Sequence, residues 1–431
     1  MNMSRKNFIK SSAISLAGAT LIPNMLKAEN MNSIIISNVR LETGFEYEDN
    51  EVIATKTDLF SIEIENGKFK SISPNKISEK NYLDARGLLM LPSFKDMHIH
   101  LDKTFYGDKW QAVKRRSGGV KGMIALEQEN MASILEKSTY KAEKLIELLQ
   151  SKGTGFARSH VNIEPTSKLQ SLKNLQKALE NKKSGFGAEI VAFPQHGVYY
   201  TDSAQYLKEA AQLDINFIGG LDPFSIDGAI EKTIDFTVQL ALDYKKGIDI
   251  HLHESGESGL KTIEYLIDKV NENPILKGKT FLSHCFALGR VEEKKLVELS
   301  EKLADSNIGI ISTVPFGGLI MPIPTLMKYG VQVFTGNDSI VDHWNTFGSG
   351  SVLQKANLAA QLYGHTSEFE LSRMLKLATA GPLPLDNKGN QQWPKVGDDA
   401  DLVLINASCS AEAVSRISPV ESLFFKGKQV F

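Results

Sequence analysis

Short apolar runs alternate with stretches of helical periodicity through the middle of this chain, and this alternation limits the fold more than any other feature. Helical periodicity covers Ser138–Gln150, Ser203–Leu213, Ile230–Lys245 and Leu260–Glu272. Eight apolar runs are candidate buried strands: Leu88–His100, Phe156–Val161, Ile190–Pro194, Phe217–Leu221, Ile248–Leu252, Thr280–His284, Gly309–Thr313 and Val331–Gly336. Repeated strand–helix alternation of this kind is typical of an α/β fold, the (β/α)8 TIM barrel, whose active site lies at the carboxyl ends of its strands.

The two ends of the chain have a different character from the middle. Ser33–Val39 is rich in isoleucine, and Leu59–Ile64 alternates before Asn66-Gly67, a dipeptide that favours a hairpin turn. Asp401–Asn406 is strand-like, and Val420–Phe431 contains a second hairpin signal. We therefore predict a small β-sandwich domain built from residues 31–87 and 386–431, which flank a barrel over residues 88–385.

The first thirty residues predict a targeting segment rather than part of the fold. Arg5, Lys6 and Lys10 precede a mostly apolar stretch, and Ala28 is a candidate cleavage residue. Ser4–Lys10 resembles a twin-arginine export signal whose second arginine is lysine. The expectation is a signal over residues 1–30 and a periplasmic or exported protein, with a cytoplasmic one as the alternative.

Composition excludes several classes of function. The formal net charge is −2, with acidic and basic residues well mixed, so the basic surface that nucleic acid requires is not indicated. The two cysteines, Cys285 and Cys409, cannot build a disulfide framework or a four-thiolate metal site. The expected partner is a small molecule, with no membrane contact after processing and with self-association left open.

The segment Asp96–Asp102 contains two histidines, His98 and His100, at the end of the first predicted barrel strand. Side chains at positions i and i+2 of a strand point to the same side, so both imidazoles can reach one ion. Burying two polar rings together is costly without such a purpose. We predict that both histidines bind a metal.

The fifth predicted barrel strand ends in a second histidine pair. His251 can complete a set of ligands with the first pair, while His253 has the same parity and is a rival. We favour His251. Glu254 follows where a loop places its carboxyl group over a bound substrate.

The sixth and eighth strands also end in residues that can do chemistry. His284 is a candidate metal ligand or a group that holds the reacting water, whereas its neighbour Cys285 is expected to pack as a small apolar residue. Asp338 is a candidate metal ligand and base, or an N-cap of the following helix.

Together these positions resemble the amidohydrolase superfamily, and within it the mononuclear branch that contains cytosine deaminase. The resemblance covers about residues 88–348. It implies that Gln195, in Val191–Gln195, binds the substrate ring and that Glu254 shuttles protons. Asp338 and the segment Asp342–Trp344 resemble the end of the last strand in that family. The fourth strand, Phe217–Leu221, has no lysine to bridge two metals, which indicates a single ion.

The sequence departs from the cytosine deaminase pattern at two places. His196 follows Gln195 where that enzyme has a glutamate, and Ser339 follows Asp338 where it has a second aspartate. These differences favour a substrate other than cytosine. Lys103 adds a cation, either at the pocket mouth or in a surface pair with Asp102 or Asp108.

These features imply one divalent ion, Zn²⁺ or Fe²⁺, held by His98, His100, His251 and Asp338. Asp338, Glu254 and His284 are the predicted catalytic residues, and Gln195 and Trp344 are predicted to bind the substrate. Trp344 and Phe105 are candidate aromatic walls, or simply core residues. Such a site predicts an amidohydrolase of the cyclic amidine deaminase type (EC 3.5.4-like), which releases ammonia from an amino-substituted nitrogen heterocycle.

Three alternatives stay open at this point. The same residues suit hydrolysis of a cyclic amide, or displacement of an alkylamine from a triazine-like ring. An exported, metal-bound solute-binding protein without turnover is the alternative outside the enzymes. Glu254 and Asp338 speak against that last interpretation, because a passive binder does not need them beside the histidines.

Overall fold

The computed structural model describes residues 33–75, 82–114 and 116–431, so the predicted export signal lies outside the described residues. The first described elements are β1 (Ser33–Glu48), β2 (Glu51–Glu65), β3 (Lys68–Pro74), β4 (Leu83–Asp84) and β5 (Leu89–Pro92). Asn66 and Gly67 join β2 to β3 with φ angles of 52° and 78°. The predicted Asn-Gly hairpin is therefore confirmed.

Eight parallel strands follow and form the barrel. They are β6 (Phe94–Ile99), β7 (Thr154–Asn162), β8 (Gly187–Phe193), β9 (Phe217–Leu221), β10 (Gly247–His251), β11 (Thr280–Ser283), β12 (Ile308–Ser312) and β13 (Val333–Thr335). The ring closes where Asp338 N donates to the His98 carbonyl at 2.7 Å, beside a parallel bridge between Ile99 and Asp338. The TIM barrel predicted from the sequence is confirmed.

One predicted strand was wrong in its extent. The run Leu88–His100 is two strands, because β5 pairs with a different sheet and only β6 enters the barrel. Leu89 and Leu91 pack into the barrel core, while Met90 packs into the core of the other sheet. An apolar strand buried on both faces gives no sequence signal for the point at which the chain passes from one sheet to the next.

Among the described residues, ten α-helices connect the strands: α1 (Gly119–Ser151), α2 (Gln170–Lys182), α3 (Ala204–Ala211), α4 (Ile230–Tyr244), α5 (Glu257–Glu272), α6 (Glu293–Asp305), α7 (Ile323–Lys328), α8 (Val352–Tyr363), α9 (Glu368–Thr379) and α10 (Ser410–Arg416). The helix predicted at Ser138–Gln150 is the second half of α1. Its first half carries buried Ile124 and Glu127, a mixture without clear apolar periodicity. None of the described helices is both long enough and apolar enough to span a membrane.

The end of the chain returns to the first sheet through β14 (Leu402–Ile405), β15 (Val420–Phe425) and β16 (Lys428–Gln429). The hydrogen-bonded order is β16-β15-β14-β5-β1-β2-β3, with β4 beside β1, so both chain ends share one sheet. Val39, Ile62, Phe69, Leu402 and Phe424 are among the buried residues of its own core. The prediction that the two ends form a second unit is confirmed.

Candidate active site

The predicted metal ligands converge at the carboxyl end of the barrel. Asp338 Oδ1 lies 3.5 Å from His98 Nε2 and 3.4 Å from His100 Nε2. His251 Nε2 lies 3.4 Å from His100 Nε2. The ligand atoms of His98, His100 and His251 lie within 4.8 Å of one another, as do those of His98, His284 and Asp338. The structure therefore brings together every residue predicted to bind the ion.

A buried aspartate and a glycine fix the strand ends that carry these ligands. Asp96 accepts hydrogen bonds from the main chain of His98 and Asn337 and from the Asn337 side chain. A Cβ atom at Gly336 would stand 2.4 Å from the His98 carbonyl oxygen, so only glycine fits where β13 ends. Asp338 is not an N-cap, since the next helix, α8, is capped by Ser351.

The nitrogen atoms of this cluster suit a divalent cation. Burial and the nearby Lys103 charge lower the pKa of His100 to about 4, and burial holds the pKa of His251 and His284 well below the usual range. Burial opposes ionisation of Asp338, but the close approach of the His100 and His98 rings outweighs it and keeps the pKa of this carboxyl well below its usual range. Neutral imidazoles beside an ionised carboxylate form a ligand set for zinc or ferrous iron.

Unpartnered buried atoms support the same conclusion. His98 Nε2, His251 Nδ1 and both ring nitrogens of His284 are buried without a hydrogen-bond partner. Buried polar atoms are nearly always paired, so a group of unpaired nitrogens indicates that something else binds them. These residues therefore fit a bound metal ion.

The rival histidine lies outside this group. His253 Nδ1 lies 2.9 Å from Asp222 Oδ2, and its main-chain nitrogen donates to Asp222 Oδ1 at 2.6 Å. Its side chain is 35% exposed. The structure thus places His251, and not His253, among the candidate ligands.

Two predicted catalytic residues flank the cluster. Glu254 Oε1 accepts from the main-chain nitrogens of Phe224 and Ser225 at 3.0 and 2.9 Å, whereas its Oε2 is buried and unpartnered. His284 Nε2 lies 4.0 Å from Asp338 Oδ2. Hydrogen bonds thus hold Glu254 in place, and both residues keep polar atoms without a hydrogen-bond partner. Cys285 is buried in the barrel core, as expected for a small apolar residue.

The predicted substrate-binding residue Gln195 meets a buried lysine. Lys103 Nζ donates to Gln195 Oε1 and lies 3.5 Å from Glu127 Oε2 and 5.5 Å from the centre of the Trp344 ring. Lys103 is 2% exposed, so of its two alternatives the surface pair with Asp102 or Asp108 was wrong. Asp108 instead pairs with Lys137 and Lys141.

Sequence reasoning also missed the carboxylates that surround this lysine. Glu127, on α1, accepts from Trp344 Nε1 at 2.5 Å and from Asn162 Nδ2 at 2.5 Å, and it lies 3.3 Å from His196 Nε2. His196 Nδ1 lies 3.2 Å from Glu164 Oε2. We call Lys103, Glu127, His196 and Glu164 the charged wall. A glutamate on a helix usually faces solvent, so this role of Glu127 could not be predicted from the sequence.

The charged wall consists of ionised groups that neutralise one another. Burial opposes the charged form of His196, but hydrogen bonds with Glu127 and Glu164 outweigh it and raise its pKa to about 9. The same contacts and the Lys103 charge hold the pKa of Glu127 well below the usual range, and the His196 contact lowers that of Glu164. Two positive and two negative side chains thus stabilise one another beside Gln195.

Trp344 and Phe105 occupy different surroundings. Trp344 packs on the buried cluster that includes Phe193, and the Phe193 ring stacks on His251 with centroids 4.0 Å apart. Trp344 therefore links the charged wall to the candidate metal ligands. Phe105 packs against the ring of His343 at 4.8 Å and is largely buried.

Comparison with known proteins supports the fold and the kind of site. Residues 109–431 match a family model described as "Amidohydrolase family", which begins after the His98-Ile99-His100 segment. The uncharacterized protein YahJ of Escherichia coli K12 is 50% identical over 400 residues, which cover 92% of this chain and 87% of YahJ.

Two solved structures share most of the architecture. N-isopropylammelide isopropylaminohydrolase from Burkholderia multivorans superposes with a TM-score of 0.80 at 26% identity, over 93% of this chain and 98% of that one. 5-Methylcytosine deaminase from Klebsiella pneumoniae, liganded with 5-fluorocytosine, gives a TM-score of 0.77 at 24% identity, over 92% and 97% of the two chains. The second likeness concerns the fold alone.

Proposed function

The chain belongs to the amidohydrolase family, and on that premise we propose that it hydrolyses an amino-substituted nitrogen heterocycle and releases ammonia. One observation carries the proposal. The His98, His100 and Asp338 atoms that can bind an ion are connected, through the stacked rings of His251 and Phe193 and through Trp344, to the buried pair of Lys103 and Gln195. The site thus combines a place to activate water with a place to read a ring.

His98, His100, His251 and Asp338 would hold the divalent cation, which supplies Lewis-acid activation of water at neutral pH when bound. The ionised Asp338 carboxylate accepts a proton from the attacking water. It remains 32% exposed, so it faces the mouth of the barrel where substrate arrives.

Proton transfer completes the reaction. Water adds to the ring carbon that bears the amino group, and charge builds on the neighbouring ring nitrogen. Glu254 Oε2, which has no partner of its own, protonates that nitrogen. The C–N bond then breaks, and the amine leaves as ammonia with the proton that Asp338 took from the water. The added hydroxyl becomes the ring carbonyl as it returns its proton to Glu254, which restores both carboxyl groups. Neutral His284 donates a hydrogen bond to the developing oxyanion.

The contact between Lys103 and Gln195 predicts which edge of the substrate ring Gln195 recognises. Lys103 donates a hydrogen bond to the side-chain oxygen of Gln195. Among the described residues, the side-chain nitrogen of Gln195 has no hydrogen-bond partner. The free group is therefore a donor, which suits an acceptor on the substrate. We propose a ring that carries a carbonyl oxygen on the edge away from the amino group.

Displacement of an alkylamine from a triazine-like ring is a second candidate. The similarity to N-isopropylammelide isopropylaminohydrolase, at 26% identity over 93% of this chain, favours it. The chemistry at the reacting carbon is the same, and only the leaving amine differs.

The test is product analysis with the purified, metal-loaded enzyme. Amino- and alkylamino-substituted oxo-pyrimidines, pterins and triazines are incubated with the enzyme, and ammonia, alkylamine and ring-opened acids are quantified by mass spectrometry. Ammonia release, absent in Asp338→Asn and intact in the exposed control Asp268→Asn, supports deamination. Alkylamine alone favours the second candidate. A ring-opened acid indicates cyclic amide hydrolysis, and stoichiometric binding without any product indicates a solute-binding protein.

A further inference from the structure

A buried relay of side chains reaches the candidate ligand His98 from beneath. His98 Nδ1 lies 2.9 Å from the Ser283 hydroxyl oxygen, and that hydroxyl donates to Asp249 Oδ1 at 2.7 Å. All three side chains are fully buried. The register of β10 and β11 places Asp249 opposite Phe281 and His251 opposite Ser283, so the relay lies just below the ligands.

Donor and acceptor roles in this relay are determined by chemistry. The ionised Asp249 carboxylate can only accept, so the Ser283 hydroxyl hydrogen points toward it. The Ser283 oxygen therefore presents a lone pair to His98, and His98 Nδ1 must carry the ring hydrogen. That tautomer leaves Nε2 with a free lone pair directed at Asp338 Oδ1, 3.5 Å away.

The far end of the relay is anchored by an arginine. Arg158 Nη1 donates to Asp249 Oδ2 at 3.1 Å, and Arg158 Nε donates to Glu189 Oε2 at 2.9 Å. The guanidinium carbon lies 4.0 and 4.2 Å from the ring centres of Phe217 and Phe281, so both rings pack against it. Asp249 therefore has a fixed position, paired with the Arg158 guanidinium.

The other candidate histidines are oriented differently. His100 Nδ1 lies 3.1 Å from the main-chain carbonyl oxygen of His160, and His251 Nδ1 has no partner. Within the described part of the chain, His98 is thus the one candidate ligand whose ring is set by a side-chain relay. Its orientation depends on residues that can be substituted.

We propose that Ser283 and Asp249 are positioning residues that fix the His98 tautomer and ring for metal binding, an inference that rests on the metal centre of the proposed function. Hydrogen bonds to the remote nitrogen of a ligating histidine typically change metal affinity by about 10–100-fold. The relay acts on His98 and touches neither substrate nor reacting atoms.

The experiment measures Zn²⁺ affinity of the full-length apoprotein by competition with a chromophoric chelator. Ser283→Ala is expected to weaken Zn²⁺ binding about 10–100-fold. Ser300→Ala is the matched control, because it removes a buried hydroxyl that donates to the Leu296 carbonyl on α6, away from the site. That control is expected to bind Zn²⁺ as the wild type does.

A double-mutant cycle and a spectroscopic readout separate the relay from general structural damage. If Asp249 acts through Ser283, Asp249→Asn should add little further loss in the Ser283→Ala background. In ¹⁵N-histidine-labelled apoprotein, the wild type should show a single His98 tautomer with hydrogen on Nδ1, and Ser283→Ala should show a mixture.

The outcomes are distinguishable. A wild-type chain that takes up no Zn²⁺ overturns the metal centre of the proposed function and this inference with it. Normal wild-type binding, together with a folded Ser283→Ala that binds Zn²⁺ as tightly and keeps one His98 tautomer, overturns the relay alone. Full additivity of the two substitutions likewise overturns it.

Discussion

Two groups of buried polar side chains meet at the carboxyl end of the barrel, and they differ in how their polar atoms are paired. In the candidate metal centre, His98, His251 and His284 keep ring nitrogens without partners. In the charged wall, Glu127 lies 3.5 Å from Lys103 and 3.3 Å from His196, and His196 lies 3.2 Å from Glu164. The first group keeps ring nitrogens that a ligand can bind, whereas in the second group each charged side chain lies beside one of opposite charge.

This difference in pairing indicates which function each group of side chains can have. A buried polar atom without a partner is costly, so a folded chain keeps such atoms where a bound species satisfies them. A set of paired buried charges needs no ligand. Removing one of its side chains destabilises the fold, because an uncompensated charge then stays buried. The centre should therefore respond to ligand and metal, and the wall should respond to substitution and pH.

The largest expected effect is on turnover when the centre loses its carboxylate. Asp338→Asn should retain the metal, since the histidine nitrogens of His98, His100 and His251 remain, and should lose about 10²–10⁴-fold in kcat. Metal content by mass spectrometry and steady-state kinetics check both parts. Near-wild-type turnover in this variant would remove Asp338 from the role of base.

The wall should show its largest effect in stability. Glu127→Ala leaves Lys103 and His196 buried without their shared partner, and we expect the free energy of unfolding to fall by about 3–5 kcal/mol. Glu129→Ala is the control on the same helix, because Glu129 pairs with Arg116 at the surface and should change stability by less than about 1 kcal/mol. Equal losses in denaturant unfolding would contradict the difference between the groups.

The wall should also make stability depend on pH. The pKa of His196 rises from 6.5 to about 9 on folding, so its contribution is complete below pH 6.5 and is lost as the pH rises through 9. The loss should be on the order of 3 kcal/mol at most. Unfolding at pH 6.5 and 9.5 measures it, and His196→Gln should flatten the decline. An equally steep decline in that variant would assign it to another group.

The smallest expected effect concerns substrate affinity. Lys103→Met removes the cation that holds Gln195 in place, and we expect KM to rise about 10-fold while kcat changes little. The reason is that Gln195 contacts the ring equally in the bound substrate and in the transition state, and losing such an interaction raises KM alone. Lys121→Met is the control, because Lys121 lies over the Tyr200 ring at the surface. A loss confined to kcat would place Lys103 in the chemical step instead.

Much of the fold could be predicted from the sequence because most barrel strands are short apolar runs, several of which end at or just before polar side chains. The parity of His98 and His100 predicted that both face one ion, and the resemblance to the amidohydrolase superfamily added Asp338 to them. The charged wall could not be predicted in this way. Lys103 and Glu127 look like solvent-exposed residues, and only tertiary packing of α1 against the barrel mouth buries them together.

The relay beneath His98 did leave a signal in the sequence. Arg158 and His160 interrupt the apolar run of β7, and Asp249 interrupts that of β10. A charged residue inside a strand buried on both faces needs a partner, so these positions predict a polar contact across the barrel. The sequence alone does not say which strand supplies the partner, because that depends on register.

The central claim is that one metal ion bound by the His98 cluster is required for hydrolysis. Its most direct test is a metal titration of the apoprotein with amine release as the readout. We predict no turnover after chelation. Turnover should then recover linearly up to one equivalent of Zn²⁺ or Fe²⁺ per chain, since the candidate ligands form one cluster around His98. Turnover that survives complete metal removal would contradict it.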